Sequence, residues 1–344
     1  MSAPVRVAAR LGSQLLAGPG ARTPVEVAER VLALQAQDLR GARLAVRARS
    51  DGLHVADVDR ALTEDRSLLI SWLNRGTLHL VRREDYGWLH ALTAPRQHTG
   101  NARRLAQEGV EPGTADRGVA VIAGALGEEG PMTRAALGER LDRAGIPTAG
   151  QALVHLLMAA SLRGVIVRGP LLEGDHAYVL VRDWIGEPEP VDRDRALAEL
   201  ARRYLTGHGP ASERDLANWA GLGLRDVRAG LGAIGSELVT SDAGLHELSV
   251  RRAPARLRAP RLLGPFDPIL HGWKDRDWVL GDASGVVTSN GIFRAIALVD
   301  GRAVATWRVR SGEVELAPFA QIAGDTREAL ERDGRGVVRF LDGD

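Results

Sequence analysis

The 344-residue chain contains no cysteine and a single lysine, Lys274. Without thiols there is no disulfide, no thiolate nucleophile and no cysteine-ligated zinc or iron–sulfur centre. The nine histidines are scattered with no HExxH spacing, which argues against any metal site. A phosphate-cradling GxxxxGK[ST] loop is excluded because Trp273 precedes Lys274 and Asp275 follows it. GxSxG and SxxK are also absent, so the common serine hydrolases find no support. No run of 18 apolar residues occurs, and residues 1–6 lack the charged-then-apolar layout of a signal peptide. These absences predict a cytoplasmic protein that makes no membrane contact and needs no cofactor.

What is present predicts ordinary globular cores. Hydrophobic residues make up 44% and charged residues 26%, and a chain of this length has room for two to four compact units. The net charge is only +1, yet all but one of the 45 basic residues are arginine. Arginine matches phosphate with a planar fork, although heavy arginine, alanine and glycine usage is equally a mark of a GC-rich genome.

Internal repetition suggests the architecture. Gly130-Pro131-Met132-Thr133 leads to Leu137, and Gly209-Pro210-Ala211-Ser212 leads to Leu216. Each hydroxyl residue is placed to cap a helix. In a looser copy Thr23 caps, Pro24 takes the first helical position and Glu26 completes a capping box. Helical periodicity over 119–126, 133–143 and 151–163, then alternation over 165–167 and 178–181, reads as three helices and a two-stranded wing around Gly169-Pro170. The order recurs with helices at 196–205, 213–219 and 224–238 and a strand near 245–250. The first unit has extra helices, at 5–16, 25–34, 42–49 and one or two within 55–73, then a strand over 76–81 and a helix over 83–92. After a basic, Pro-rich linker come short strands at 278–281, 286–288, 293–299, 303–309 and 314–316, a helix near 319–331 and a last strand at 337–340. The expected fold is α+β: three tandem winged helix-turn-helix units (1–115, 116–190 and 191–252) and a small C-terminal β-barrel or sheet domain (253–344).

Three helix-turn-helix units point toward nucleic acid, although such units also mediate protein contacts. The third helix of the second unit is poor in base-reading residues. Backbone contacts from Arg163, Arg168, Arg251, Arg252, Arg256 and Arg258 fit better, since phosphates supply affinity without sequence information. Thr77 and His79 fall on one face of a strand and are further candidate DNA contacts, His79 reading more simply as a structural histidine. Asp267 is placed to orient an arginine of the β-domain, and Trp72, Trp88, Trp219 and Trp273 read as core.

Four segments together carry a family resemblance. They are Gln35-Ala36-Gln37-Asp38, Arg75-Gly76-Thr77-Leu78-His79-Leu80-Val81, Leu263-Gly264-Pro265-Phe266-Asp267-Pro268 and Asn290-Gly291-Ile292-Phe293-Arg294. In order and spacing, over nearly the whole chain, they resemble the winged-helix DNA glycosylases of the AlkZ and YcaQ type. The resemblance implies a monofunctional glycosylase that removes bulky N7-alkylated purines, interstrand crosslinks included, from double-stranded DNA. It implies catalysis by Gln35 and Gln37, the Gln-x-Gln form of the family motif, which places the chain nearer the AlkZ branch, whose members protect antibiotic producers. It also implies a probing hairpin in the β-domain, for which the turn at Asp300-Gly301 is one candidate.

The residues make the implied chemistry reasonable. An N7-alkylated guanine is cationic and leaves readily, so two amides that position a water and stabilise the developing sugar cation suffice. Strand-nicking glycosylases need an amine for a Schiff base, and Lys274, far in sequence from Gln35, is the sole candidate, so no lyase activity is expected. Read without the family, Gln35 and Gln37 would be solvated residues at a helix end. At i and i+2 of a regular helix they face different sides, so the helix must break near Gln35. A monomer is expected. The alternative is a non-catalytic winged-helix DNA-binding protein or transcriptional regulator, with small-molecule metabolism a weaker third reading.

Overall fold

A computed structural model describes residues 2–172, 174–187, 189–250 and 257–343. The chain divides into two compact units, residues 1–58 with 197–344, and residues 59–196.

The first unit opens with α1 (Ala3–Ser13), α2 (Pro24–Val31), the short extended pair β1 (Leu34–Gln35), α3 (Leu39–Arg49) and the start of α4 (Val55–Thr63). Thr23 caps α2 as expected, its hydroxyl accepting the Glu26 N–H at 3.1 Å, but the Glu26 carboxylate accepts the N–H of Arg22 instead of that of Thr23. The helix was expected to run to residue 34 and stops at Val31. The break is Leu32, which takes φ 73° and ψ −52° while fully buried. A positive φ at leucine costs about 1–3 kcal/mol and persists only where the surroundings enforce it.

The second unit contains β2 (Leu68–Leu73), β3 (Thr77–Arg82), α5 (Arg83–Thr93), α6 (His98–Gln107), α7 (Pro112–Glu129), α8 (Arg134–Arg143), α9 (Ala152–Leu162), β4 (Ile166–Leu172), β5 (Asp175–Leu180) and α10 (Val181–Trp184). Residues 68–73, expected to be helical, form a strand. All six are buried, so the period-2 alternation that marks a strand is missing and a short apolar run cannot be told from helix by pattern. Four strands pair antiparallel in the order β3-β2-β4-β5. Thr133 caps α8 by accepting the Ala136 N–H at 3.3 Å, and α7, α8 and α9 precede the β4–β5 hairpin in the expected order. The loop expected at Gly169-Pro170 is instead a register shift inside β4, between Arg168 and Leu171. Glycine is required there, because a Cβ at 169 would lie 2.6 Å from the Trp184 ring.

The first unit resumes within α11 (Arg193–His208) and continues through α12 (Glu213–Ala220), α13 (Leu224–Ala233), β6 (Leu238–Thr240), β7 (His246–Leu248), β8 (Arg261–Leu263), α14 (Asp277–Leu280), β9 (Ile296–Val299), β10 (Arg302–Arg310), β11 (Glu313–Pro318) and α15 (Gly324–Asp342). Ser212 and Asp215 form a reciprocal capping box on α12. The helix expected to reach residue 238 ends at Ala233, and residues 238–240 form β6, which pairs antiparallel with β7.

The C-terminal strands form an open antiparallel sheet in the order β11-β10-β9-β8, not a closed barrel. Three further expectations fail here. Residues 278–280 belong to the helical turn α14, residues 286–288 form no strand beyond the isolated Val287–Phe293 bridge, and the apolar run at 337–340 lies in the last part of α15. Leu330, Gly334, Val337 and Phe340 recur at helical spacing and are all buried. Leu330, Val337 and Phe340 share a core with Leu44, Leu262, Ala305 and Trp307, so the sheet supplies the apolar surface that makes this segment helical. Trp72, Trp219 and Trp273 are core as expected, whereas Trp88 is half-buried with its indole N–H on Asp85 at 3.3 Å. No helix among the described residues is long and apolar enough to cross a membrane.

Candidate active site

The break after α2 sets the geometry of the two glutamines. Gln35 lies in the extended pair β1 and Gln37 in the bend that follows, so the helical i, i+2 arrangement that would have put them on different sides does not arise. Gln35 is 6% exposed, and its Oε1 has no hydrogen-bond partner. Gln37 is exposed. A buried amide oxygen without a donor costs about 1–3 kcal/mol, and such a group in a native structure calls for an explanation. Asp38 is committed elsewhere, since it is the N-cap of α3 and its Oδ1 accepts the Gly41 N–H at 2.7 Å.

The segment 263–268 holds the other side of α3. A Cβ on Gly41 would lie 2.4 Å from the Pro265 carbonyl oxygen, and one on Gly264 would lie 2.8 Å from Leu44 Cβ, so two backbones meet where neither tolerates a side chain. Further along, Asp267 accepts two hydrogen bonds from Arg49, at 2.7 and 2.8 Å, with both side chains fully buried. Arg49 also donates to Gln14 Oε1 at 2.9 Å, and Gln14 donates to the Gly207 carbonyl at 2.6 Å. Asp267 therefore does orient an arginine, but that arginine comes from α3, 218 residues earlier in the chain. Sequence reasoning missed Arg49 and Gln14 because nothing local distinguishes one arginine among so many. The signal lay in Asp267, a carboxylate flanked by apolar residues and prolines, which demands a cation from somewhere.

The expected DNA contacts are differently placed. His79 is buried in β3 with its Nδ1 2.9 Å from the Thr77 carbonyl. Burial, aided by the nearby Arg75 charge, lowers its pKa to about 3, so it is a neutral hydrogen-bonding group at ordinary pH. The Thr77 hydroxyl and both amide atoms of Asn74, at the β2–β3 turn, are buried without partners. Arg163 is exposed and paired with Asp116 at 2.6 Å. Arg168 stands over the rings of Trp72 and Tyr178, at 5.2 and 4.8 Å. Arg258 donates to the Gly18 carbonyl at 2.9 Å and pairs with Asp51 at 3.2 Å, so its guanidinium is engaged within the fold. Arg251, Arg252 and Arg256 lie outside the described residues.

Two other candidates are placed as follows. Lys274 is exposed, and its backbone N–H is fixed by Asp215 at 2.9 Å. The Asp300-Gly301 turn joins β9 to β10 with φ 47° and 81°, but a Cβ at 301 would meet Val7 and Leu11 of α1 at 2.5 and 3.1 Å. That turn is seated on α1 and is not a free tip. Residues 286–294 do form one: Val287 pairs with Phe293, and Ile292 and Val287 are 50% and 40% exposed beside the exposed Arg294. Among the described residues no group of three acidic or histidine side chains is arranged to hold a metal ion.

Known proteins resemble this chain in sequence and fold. The profile of the "DNA glycosylase AlkZ-like" family matches residues 28–340. The chain is 28% identical over 337 residues to an interstrand DNA cross-link repair glycosylase of Streptomyces sahachiroi, spanning 91% of this chain and 90% of that one. Its structure is similar to that of the Streptomyces sahachiroi DNA glycosylase AlkZ, with a TM-score of 0.80 at 26% identity, covering 100% of this chain and 97% of the other. With the family profile covering all but the first 27 and last four residues, the chain belongs to the AlkZ-like DNA glycosylase family.

Proposed function

We propose that this glycosylase excises bulky N7-alkylated purines from double-stranded DNA, interstrand crosslinks among them, and that Gln35 and Gln37 position the attacking water. The observation that carries the reading is the buried Gln35 Oε1 without a partner, in a helix break two residues from an exposed second glutamine. The similarity to a cross-link repair glycosylase supports the substrate class.

The chemistry follows from what an amide can do. Alkylation at N7 makes the purine cationic, so the N9–C1′ bond breaks with its electron pair going to the base, which departs neutral and needs no general acid. The sugar is left as an oxocarbenium ion. Amide oxygens aimed at that charge stabilise it by their dipoles and accept hydrogen bonds from the water that adds to C1′. An amide is too weak a base to take the water's proton early, so acceleration should be modest and confined to labile adducts. Asp38 does not supply a general base, because its carboxylate caps α3.

The finer architecture belongs to the same reading. We take α7 to β5 and α11 to β7 as winged-helix units, with the first such unit within residues 1–115, and the chain as acting as a monomer. Thr77, with the neighbouring Asn74, and Arg163 and Arg168 are the DNA-contact candidates whose polar groups are not fully engaged within the fold. The 286–294 loop, with its exposed Ile292, replaces the Asp300-Gly301 turn as the probing hairpin.

One assay decides the central claim. Duplex DNA carrying a single N7-alkylguanine adduct is incubated with the protein, and abasic sites are revealed by hot alkali. Gln35→Ala and Gln37→Ala should each lower the single-turnover rate by at least tenfold while duplex binding is kept, and no cleavage should occur before alkali. Wild-type rates in both variants would remove the glutamines from the mechanism. Sequence-selective binding with no excision over a panel of bulky adducts would favour a regulator.

A further inference from the structure

We propose that a basic cleft in the first unit, between the last turn of α3 and the C-terminal half of α15, binds a phosphate group. The cleft holds about 200 Å³ and is lined by Arg47, Ser50, His54, Arg261, Arg339 and Phe340. On such a measure a single water needs only about 10–15 Å³, so an ion with its hydration fits. On its wall, a Cβ at Gly336 would lie 2.7 Å from Arg47 Nη2.

Charge in the cleft is unbalanced. Among the described residues Asp333 is the only carboxylate within ion-pair distance of these arginines, with Arg47 at 2.8 Å and Arg261 at 3.7 Å. The same carboxylate accepts the Leu262 N–H at 2.8 Å. Arg339 stands exposed at the rim and makes no ion pair among the described residues. Three guanidinium groups therefore line the cleft, and one carboxylate pairs with two of them. Concave surfaces lined by one sign of charge concentrate counter-ions, and the planar guanidinium fork matches phosphate oxygens better than it matches a spherical anion. Ser50 adds no donor, because its hydroxyl donates to the Val46 carbonyl at 2.9 Å.

Two sources share this chemistry, the DNA backbone and free phosphate. Only the first rests on the activity of the chain on DNA. The cleft and the Gln35–Gln37 loop lie at opposite ends of α3, which at about 1.5 Å per residue separates them by roughly 16 Å, so the site is distinct from the proposed chemistry.

Arg339→Gln removes a charge that no internal partner needs, so its melting temperature should equal wild type. Binding of a lesion-free duplex is measured as salt rises from roughly 50 to 200 mM, with inorganic phosphate titrated separately at constant ionic strength. Each phosphate contact contributes about 0.9 to the slope of log affinity against log salt, so Arg339→Gln should lower the slope by about 0.9 and Arg339→Lys should keep it. That change, indifferent to inorganic phosphate, assigns the DNA backbone. Saturable displacement of DNA by inorganic phosphate that Arg339→Gln abolishes assigns the free anion. An unchanged slope with no Arg339-dependent phosphate effect overturns the site. Gln35→Ala should alter turnover and not the slope, so failure here stays separate from failure of the catalytic reading.

Discussion

Two buried polar sites in the first unit have opposite circumstances. Arg49 and Asp267 satisfy each other with two hydrogen bonds and are braced by Gln14, whereas the Gln35 amide oxygen is satisfied by nothing within the fold. Arg49 and Asp267 are charge-paired in the core, although Arg49 Nε itself has no partner, and breaking the pair strands a charge. Asp267→Ala should therefore cost about 3–5 kcal/mol, while the double variant Arg49→Met with Asp267→Leu should lose much less, because no charge is left behind. Chemical denaturation of the three proteins checks this, and equal losses in single and double variants would contradict it. The Gln35 oxygen is the reverse case, a cost carried in the resting fold that a water or a cationic sugar would relieve.

At the scale of elements, α3 depends on close backbone approach. Gly41 meets the Pro265 carbonyl with no room for a methyl group, one turn after the Asp38 cap and four residues after Gln37. A carbonyl fixed in a loop cannot rotate away as a side chain can, so Gly41→Ala should shift the start of α3, cost about 1–3 kcal/mol as other overpacking changes do, and slow excision at saturating substrate more than it weakens duplex binding. Unchanged excision would mean that the 263–268 segment does not hold the catalytic loop. Much of the element pattern was legible in the sequence because caps are local: Thr23, Thr133 and Ser212 all cap as their spacing implied. Two of the errors share a cause. Residues 68–73 and 337–340 are apolar runs whose neighbours, not whose pattern, decide between strand and helix. The Asp300-Gly301 turn was legible as a turn, yet its packing against α1 was not, because Val7 and Leu11 lie nearly 300 residues away in the chain.

For the whole molecule, acid is the informative stress. His79 lies in the second unit and His208 in the first, and both are held neutral mainly by burial, each with a pKa lowered to about 3. His208 is stacked on Tyr204 at 4.7 Å with its Nδ1 3.2 Å from the Tyr204 carbonyl. Because the folded pKa lies below the unfolded value near 6.5, the unfolded chain binds more protons between pH 3 and 6.5. Stability is complete above about pH 6.5 and falls as pH drops through that window, by up to about 1.4 kcal/mol per pH unit for each histidine. Denaturation between pH 6.5 and 4.5 should show net proton uptake that grows as pH falls, His79 and His208 each contributing up to one proton, and a pH-independent midpoint over that range would refute the assignment.

The sequence by itself determined the exclusions and the local devices: no thiol chemistry, no P-loop, helix starts marked by hydroxyl caps, and a Gln-x-Gln pair at the end of an amphipathic run. These depend on residue identity and spacing over a few positions. Only the tertiary structure decided that the run breaks at Leu32, that Asp38 caps and leaves the amides as the polar groups of the loop, and that Arg49 answers Asp267. It also decided that the C-terminal strands stay open as a sheet and that Arg47, Arg261 and Arg339 line one cleft. Each of those outcomes is fixed by which distant surfaces come to pack together, and burial, strain and charge balance exist only once they do.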